Sequence, residues 1–220
     1  MLIYCLVPAR KGSKRIKNKN LILIKNNYLI NFTIKTALNT KLIDKVFVST
    51  NDKRIEKILL KNVNIIKRPE NISRDTSSTE ECISHFISYL STNKIKTPDA
   101  IVLLQCTSPY RGKNDINLAI KNFKKNRLDS LFSACRNKNL FWMLNKDKLL
   151  PLNYTPSKRL REQEMKEQFI ENGSIYIFKT KEFKKHKCRL FGKIGIHVMK
   201  KENSFQIDTA EDIKLIKKLK

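Results

Sequence analysis

The sequence predicts an α/β protein with an open, mostly parallel sheet of the Rossmann-like type. Three observations support this fold class. Short apolar segments alternate along the chain with segments whose apolar residues recur at helical spacing. The segment 99–105 is almost entirely apolar, as a central parallel strand should be. A chain of 220 residues suffices for one domain, and no repeat or linker divides residues 1–220.

The predicted elements follow one another in regular order. Each predicted strand is a short run of apolar, often β-branched residues. The strands cover residues 3–8, 45–50, 63–66, 99–105, 130–135, 173–178 and 193–199. Each predicted helix carries an apolar stripe at a period near 3.6 residues. The helices cover residues 29–39, a segment that starts at 51–52, and residues 79–90, 115–125 and 209–218.

Residues 137–169 interrupt this alternation. The segment is long, charged and weakly periodic, and it contains Trp142, the only tryptophan. We therefore expect residues 137–169 to leave the main sheet as an excursion with irregular or hairpin structure.

Polar motifs follow three of the predicted strands. Residues 10–20 come after the first strand, Arg68-Pro69 after the third, and residues 105–111 after the central one. In a parallel sheet the carboxyl ends of the strands lie at one edge, where ligands of such sheets bind. The sequence therefore predicts one binding site at which these three loops converge.

The first of these loops has the composition of a phosphate-binding loop. Gly12 permits a tight turn, and Arg10, Lys14 and Lys19 supply cations. Backbone N–H groups and ammonium groups in such a loop bind phosphate well. The sequence contains neither G-x-x-x-x-G-K-[ST] nor G-x-G-x-x-G. A solvated basic loop in a lysine-rich protein is the alternative.

The formal net charge of +26 would suit a nucleic-acid-binding protein. The cations are mostly lysines, however, and they are spread along the whole chain together with abundant Asn and Ile. This pattern indicates a compositional bias, and we do not expect nucleic acid as a partner. The positive field would instead attract anionic small molecules.

The sequence predicts a cytoplasmic protein without membrane association. No apolar run approaches the length of about 18 residues that a transmembrane helix needs. The apolar N-terminal run precedes the cations, which is the reverse of a signal peptide. The five cysteines form no C-x-x-C pair and the three histidines lie far apart, so we expect neither a disulfide framework nor a zinc site.

Asp208 stands where an extended segment meets the last predicted helix. A carboxylate at such a junction can cap the helix, a role that Thr209 and Asp212 could share. Alternatively it can bind Mg²⁺, which favours one or two carboxylates together with phosphate oxygens and water. The residues alone leave both roles open.

The first loop resembles the nucleotide-binding loop of a known family. Pro8-Ala9-Arg10, Gly12-Ser13-Lys14 and Lys19-Asn20 match the P-A-R-x-G-S-K-x-x-x-x-K-N pattern of the CMP-sialic acid synthetases, or acylneuraminate cytidylyltransferases. Further segments resemble the family's motifs in the same order, at residues 68–79, 105–111, 171–176 and 205–212. The resemblance spans the chain from Ile3 to Ile216.

The resemblance implies a Rossmann-like nucleotidyltransferase sheet and a role for each matching residue. The implied nucleotide-binding residues, which hold CTP, are Arg10, Gly12, Ser13, Lys14, Lys19, Asn20, Arg68, Ser77 and Ser78. The implied catalytic residues are Arg10, Lys14, Lys19 and Asp208. The implied sugar-binding residues are Gln105, Arg161, Asn172 and Tyr176, with Phe191 in the same pocket.

The resemblance also makes Asp208 a Mg²⁺ ligand. The family binds its metal through two acids of a terminal D-I-D-T-x-x-D segment, and Gln206 stands at the first of them. Because a neutral amide is a weaker Mg²⁺ ligand than a carboxylate, Asp208 is left to hold the metal with phosphate and water. Arg111, in the loop after the central strand, would either bind a substrate carboxylate or anchor its own loop.

The implied reaction is the transfer of CMP from CTP to a nonulosonic acid, with release of pyrophosphate. The sugar motifs favour sialic or legionaminic acid, and the Gly-Ser-Lys-Arg-Ile run of the first loop favours pseudaminic acid. A non-catalytic nucleic-acid-binding protein is the distant alternative. The family is typically dimeric, so residues 137–169 are expected to form a dimer arm.

Overall fold

The computed structural model of the chain describes residues 1–218. The strands are β1 (Ile3–Pro8), β2 (Leu23–Ile24), β3 (Asn27–Tyr28), β4 (Lys45–Thr50), β5 (Asn64–Lys67), β6 (Ala100–Leu104), β7 (Ser130–Asn137), β8 (Trp142–Asn145), β9 (Lys148–Pro151), β10 (Gln168–Lys179) and β11 (Ile194–Val198). The α-helices are α1 (Leu29–Leu38), α2 (Lys53–Ile58), α3 (Thr79–Thr92), α4 (Asp115–Lys125), α5 (Thr180–His186) and α6 (Ala210–Lys218). Single 3₁₀ turns lie at Lys19–Leu21, Glu70–Ile72 and Lys201–Ser204.

The central sheet has seven strands in the order β11-β7-β10-β6-β1-β4-β5. Six of these strands run parallel, and β10 is antiparallel to both of its neighbours. The predicted open, mostly parallel sheet is therefore confirmed. Because β10 runs in the opposite direction, its first residues lie at the carboxyl ends of the other strands.

Helices cover both faces of the sheet because the strand residues alternate between two cores. Cys5 and Val7 of β1 face one core, to which α1, α2 and α4 contribute apolar side chains. Tyr4 and Leu6 face the other core, which α3 and α5 cover. The buried central strand β6 supplies residues to both cores, as its apolar run predicts.

A third, smaller apolar cluster lies beyond the edge of the sheet. It joins Ile16 of the first loop and Ile24 of β2 to Ile207 and Ile216. The backbone N–H of Ile207 also donates to the carbonyl oxygen of Thr107 at 2.8 Å. These contacts hold the segment that carries Asp208 against the first loop, over 180 residues away in sequence.

The excursion begins after β7 and contains the hairpin of β8 and β9, which confirms the expected hairpin. Its bounds differ slightly from residues 137–169. Asn137 still belongs to β7, and β10 begins at Gln168, five residues before the predicted strand. The early start arises because β7 and β10 continue to pair beyond the other strands, with Gln168 opposite Asn137.

The small hairpin of β2 and β3 was not predicted. Its strands have two residues each, too few for an alternating pattern. Its turn residues Lys25 and Asn26 have positive φ of 46° and 62°, as a tight hairpin turn requires. In the part of the chain that the structure describes, no helix is long and apolar enough to span a bilayer.

Candidate functional site

A polar cleft of about 210 Å³ lies at the carboxyl edge of the sheet, and we call it the rim cleft. The loops after β1, β5 and β6 line it together with the beginning of α3, so the predicted convergence is observed. Nine of the residues expected to bind substrates line it: Arg10, Gly12, Ser13, Lys19, Asn20, Arg68, Ser77, Ser78 and Gln105.

The conformation of the first loop is fixed by a glycine and by two asparagine side chains. Gly12 has a φ of +72°, a left-handed conformation that favours glycine, and its missing side chain faces open space. The N–H of Lys11 donates to Asn51 Oδ1 at 2.7 Å, and the amide of Asn20 donates to the carbonyl oxygen of Arg10 at 3.4 Å. Lys14 is exposed and does not line the cleft.

Arg10 reaches across the cleft to the loop that precedes α3. Its Nη2 lies 2.7 Å from Oδ1 of Asp75, and both side chains are partly exposed. The ion pair therefore bridges the loops after β1 and β5. Asp75 lies in the segment 68–79 that the sequence singled out, but its contact with Arg10 could not be foreseen because no local pattern joins the two residues.

Lys19 points toward the segment before α6. Its Nζ donates to the carbonyl oxygen of Ile207 at 3.0 Å and to Oδ1 of Asp208 at 3.2 Å. The Lys19 side chain is mostly buried, whereas 39% of the Asp208 side chain is exposed. A cation and a carboxylate are thus fixed side by side, with the carboxylate open to solvent.

Helix α6 is capped by Thr209 and Asp212, so the structure does not assign the capping role to Asp208. The carboxylate of Asp212 accepts hydrogen bonds from the N–H groups of Asp208 and Thr209, both at 2.8 Å. Oγ1 of Thr209 accepts from the N–H of Asp212 at 3.2 Å. The hydrogen bond from the Asp208 N–H is the main reason that the pKa of Asp212 is lowered. Asp208 is not needed as the cap, so its carboxylate is available for another role.

The metal-ligating potential of the site rests on Asp208. Among residues 1–218, no group of three or more His, Cys, Asp or Glu side chains is arranged to hold a metal ion. A preformed metal cage is therefore absent from the described part of the chain. An ion that takes one carboxylate and completes its shell with phosphate oxygens and water, as Mg²⁺ does, fits this donor set.

Arg68 is buried beside the end of β4. Its Nε donates to Oγ of Ser49 at 3.0 Å, and its Nη2 donates to the carbonyl oxygen of Ser49 at 2.8 Å. Burial lowers the pKa of Arg68. Arg68 lines the cleft. Because its guanidinium is held in a fixed position and is largely shielded from water, it is suited to contact a bound ligand.

The first turn of α3 opens at the cleft. Oγ of Ser78 accepts from the N–H of Glu81 at 3.1 Å, and the Glu81 carboxylate accepts from the N–H of Ser78 at 2.6 Å. This capping box fixes the start of the helix. Oγ of Ser77 accepts from the N–H of Arg74 at 3.1 Å. Both hydroxyls therefore shape the loop, and Ser77 and Ser78 line the cleft as structural residues.

Arg111 is an anchor of the loop after β6, which resolves the second open alternative. Its guanidinium is fully buried and its pKa is lowered to about 10 by that burial. It donates to four oxygens at 2.5–2.9 Å: Oγ1 of Thr33 and the carbonyl oxygens of Ser108, Gln105 and Ser174. These bonds tie the loop to β10 and fix Gln105 at the cleft wall.

Asn172 lies outside the rim cleft, in a bulge of β10. Residues 172–175 stand opposite Ser133 alone on β7. The Asn172 Oδ1 accepts from Oγ of Ser133 at 2.6 Å and from the N–H of Ser174 at 3.2 Å. Asn172 therefore stabilises the bulge, and its exposed edge lines a separate cavity of about 510 Å³ that Gln206 also lines.

Tyr176 also lies outside the rim cleft, on the α3 side of the sheet. Its hydroxyl donates to the carboxylate of Glu171, and burial raises its pKa. The guanidinium of Arg189 lies 4.6 Å from the centre of its ring. The sequence did not single out Arg189, because one arginine in a cation-rich segment carries no pattern of its own.

Arg161 and Gln206 occupy other positions than the cleft wall. Arg161 is exposed in the excursion, where its N–H donates to Glu164 Oε2 at 3.0 Å. Gln206 packs against β10, with its Nε2 2.8 Å from where a Cβ of Gly173 would stand. A Cβ at position 173 would require this flexible amide to move.

The chain is similar to known proteins along nearly its whole length. The sequence model described as cytidylyltransferase matches residues 4–220. An N-acylneuraminate cytidylyltransferase A of Danio rerio is 32% identical over 215 residues, which cover 96% of this chain and 49% of that protein. The post-translational flagellin modification protein B of Campylobacter coli is 29% identical over 220 residues, which cover 97% of this chain and 93% of that protein.

A solved CMP:2-keto-3-deoxy-manno-octonic acid synthetase in complex with CTP has a TM-score of 0.71 and 15% identity, covering 99% of this chain and 97% of that one. At this identity the likeness shows the shared fold. The chain spans about half the length of the N-acylneuraminate cytidylyltransferases that it matches. The family match itself leaves out only the first three residues, and on that match the chain belongs to the cytidylyltransferase family.

Proposed function

We propose that the chain transfers CMP from CTP to the anomeric hydroxyl of a nonulosonic acid. The sugar oxygen bonds to the α-phosphorus, the bond from that phosphorus to the bridging oxygen of pyrophosphate breaks, and the hydroxyl proton is lost to solvent. The observation that carries the proposal is the meeting of Arg10, Lys19 and Asp208 at one edge of the sheet. Membership of the cytidylyltransferase family supports CTP as the nucleotide.

The residues of the rim cleft would bind the nucleotide. Nucleotidyl transfer depends mainly on positioning and on neutralisation of phosphate charge. Arg10 and Lys19 would neutralise the triphosphate from two sides, and exposed Lys14 would add charge at the mouth. The N–H groups around Gly12 and Ser13 would donate to phosphate oxygens, while Arg68 would contact the nucleoside from its buried position.

Asp208 would hold Mg²⁺ together with phosphate oxygens and water. Its carboxylate is partly open to solvent, is not used to cap α6, and lies beside Lys19, which lines the cleft. When bound, Mg²⁺ supplies Lewis-acid polarisation of the phosphate. Lys19 would hold the Asp208 carboxylate in place at the cleft, because its Nζ also donates to the carbonyl oxygen of Ile207.

The acidic sugar would bind beside Gln105. This side chain lines the cleft and its backbone is fixed by Arg111. The names of the relatives, N-acylneuraminate cytidylyltransferase and flagellin modification protein, support a sugar of the nonulosonic class. Sialic or legionaminic acid is the proposed substrate, with pseudaminic acid as the alternative. Asn172 would act indirectly, by stabilising the bulge of β10 next to this side of the site.

We also propose a homodimer formed through the excursion. The hairpin of β8 and β9 exposes Trp142, Leu144 and Leu149, whose exposed fractions are 48%, 67% and 65%. An isolated two-stranded hairpin with apolar side chains needs a covering surface. A second copy would supply it and would bring Arg161 toward the neighbouring site. Sedimentation should show a dimer that Leu144→Asp weakens, and an undiminished dimer in that variant would refute the arrangement.

The proposed compartment is the cytoplasm. All five cysteines are free, including three that are buried, which fits a reducing environment. A thiol-labelling experiment on intact and lysed cells, with the exposed Cys188 as the reporter, would distinguish a cytoplasmic from an exported protein. Labelling of Cys188 by a membrane-impermeant reagent in intact cells would contradict the proposal.

The reaction is tested by measuring pyrophosphate release from CTP and Mg²⁺ with a panel of sialic, legionaminic and pseudaminic acids. ATP, GTP and UTP serve as nucleotide controls. The proposal expects release only when CTP and one of the acidic sugars are present together. Release with every nucleotide, or with none of the sugars, would overturn it.

A further inference from the structure

Arg189 contacts two elements on the α3 side of the sheet, β10 and α3. Its guanidinium carbon is 4.6 Å from the centre of the Tyr176 ring, and its Nη1 is 3.5 Å from Oε1 of Glu80. About a quarter of the side chain is exposed. A guanidinium stacked on an aromatic ring in this way is held in a fixed orientation.

The N–H groups of Arg189 are not fully used. Its Nη1 is buried and has no hydrogen-bond partner among the described residues. The Glu80 carboxylate partly neutralises the charge without forming a hydrogen bond. A buried N–H group that lacks a partner is costly, so such a group in a native fold calls for a ligand or a water.

Arg189 is connected to the rim cleft through the two residues that it contacts. Glu80 directly follows Thr79, which lines the cleft. Tyr176 pairs with Leu103 on β6, and Gln105 follows two residues later at the cleft wall. The two residues that Arg189 contacts thus belong to α3 and to the paired strands β10 and β6, which also carry Thr79 and lead to Gln105 at the cleft.

We propose that Arg189 binds the carboxylate of the acidic sugar, with the Tyr176 ring as the platform that orients its guanidinium. The inference rests on the proposed function and adds a residue that determines its sugar specificity. Arginine presents a planar pair of N–H groups that matches a carboxylate in two-point geometry. Within one chain Arg161 lies in the excursion, whereas Arg189 contacts α3 and β10 of the main fold, so Arg189 is the candidate that a single chain offers.

Glu80 has a defined part in this arrangement. Without substrate it offsets the charge of Arg189 from the first turn of α3. When the sugar carboxylate binds, it accepts hydrogen bonds from the Arg189 N–H groups that Glu80 does not engage. The Glu80 carboxylate continues to restrain the position of the guanidinium. Glu80 is a positioning residue in this scheme and makes no contact with the sugar.

The test compares wild type, Arg189→Met and Arg161→Met, each with the active sugar acid and with its C1 amide. Pyrophosphate release gives KM for the sugar and for CTP. Thermal unfolding checks that each variant is folded, and Lys121→Met on the exposed face of α4 is the matched control. Arg189→Lys tests whether a point charge substitutes for the planar fork.

Arg189→Met should raise KM for the sugar acid about ten- to hundredfold and leave KM for CTP within about twofold. Wild type should prefer the acid to the amide by a similar factor, and Arg189→Met should lose this preference. Arg189→Lys should recover part of it. A merely structural residue would weaken acid and amide equally, and that result would overturn the inference.

Other outcomes separate the inference from the proposed function. If wild type turns over the acid but Arg189→Met keeps the full preference for acid over amide, the inference fails and the reaction stands. If the preference is lost in Arg161→Met instead, the excursion supplies the carboxylate site and Arg189 does not. If wild type releases no pyrophosphate with any sugar, both fail together.

Discussion

Nζ of Lys19 and Oδ1 of Asp208 lie 3.2 Å apart, although 189 positions separate them in sequence. The contact joins the loop after the first strand to the segment before the last helix. It is held by Ile207, which packs under the first loop and bonds to Thr107. A candidate phosphate-binding cation and a candidate metal ligand are therefore fixed as one unit.

The first prediction separates Asp208 from the cap beside it. Asp208→Ala should lower turnover by orders of magnitude at unchanged thermal stability, because its carboxylate makes no bond that α6 needs. Asp212→Ala should do the reverse, with a loss of about 1 kcal/mol of stability from the missing cap and near-normal turnover. Steady-state kinetics and chemical denaturation of both variants decide the matter, and normal turnover in Asp208→Ala would refute its role.

The second prediction concerns the ion pair between Arg10 and Asp75. Arg10→Met should raise KM for CTP about tenfold or more, because a charge-assisted bond to phosphate is lost. Asp75→Asn should change that KM less than about threefold, since a partly exposed pair contributes about 0–1 kcal/mol. A larger effect of Asp75→Asn than of Arg10→Met would mean that Asp75 itself contacts the nucleotide.

The third prediction concerns the buried anchor. Arg111→Met should lower the free energy of unfolding by about 3 kcal/mol or more, because it leaves several buried oxygens without donors. Urea denaturation measures the loss, with Lys121→Met on the exposed face of α4 as the control. If Arg111→Met were as stable as wild type but failed to bind the sugar acid, Arg111 would be a ligand after all.

The fourth prediction concerns the fit of Gly173 and Gln206. Gly173 has a φ of +61°, and a Cβ there would stand 2.8 Å from Nε2 of Gln206. Gly173→Ala should therefore cost about 1–3 kcal/mol of stability. Gly173→Ala with Gln206→Ala should recover the steric part of that loss and keep the part due to φ. Equal losses in the single and double variants would show that Gln206 does not crowd position 173.

The fifth prediction concerns the metal. Gln206→Asp should lower the Mg²⁺ concentration needed for half-maximal pyrophosphate release. The substitution places a second carboxylate two positions before Asp208, and Mg²⁺ binds a carboxylate better than an amide. Gln206→Glu, with a longer reach, serves as the comparison, and Asp208→Ala should abolish the Mg²⁺ response in either background. An unchanged Mg²⁺ dependence in Gln206→Asp would show that position 206 does not approach the metal.

Much of the fold was predictable because local patterns determine it. The apolar run of β6 and the amphipathic stripe of α4 match the observed elements within one residue at each end. The first loop was predictable as well, since Gly12 and its cations are close together in sequence. These local patterns predict where the rim cleft lies. They do not predict which residues its side chains contact.

The remaining features depend on contacts between distant segments. The sequence assigned no direction to β10, whose antiparallel course follows from its pairing with β6 and β7. The pairing of Arg10 with Asp75 and the stacking of Arg189 on Tyr176 likewise join residues without a shared pattern. Of the expected site residues, Lys14, Asp208, Arg161, Asn172 and Tyr176 do not line the cleft.

The most direct test of the central claim is one assay of pyrophosphate release by wild type and Asp208→Ala, with CTP alone, sugar acid alone and both together. We predict that wild type releases pyrophosphate only with both substrates, with one CMP-sugar formed for each pyrophosphate by mass spectrometry, and that Asp208→Ala releases almost none. Release from CTP alone, or undiminished release by Asp208→Ala, would contradict the claim.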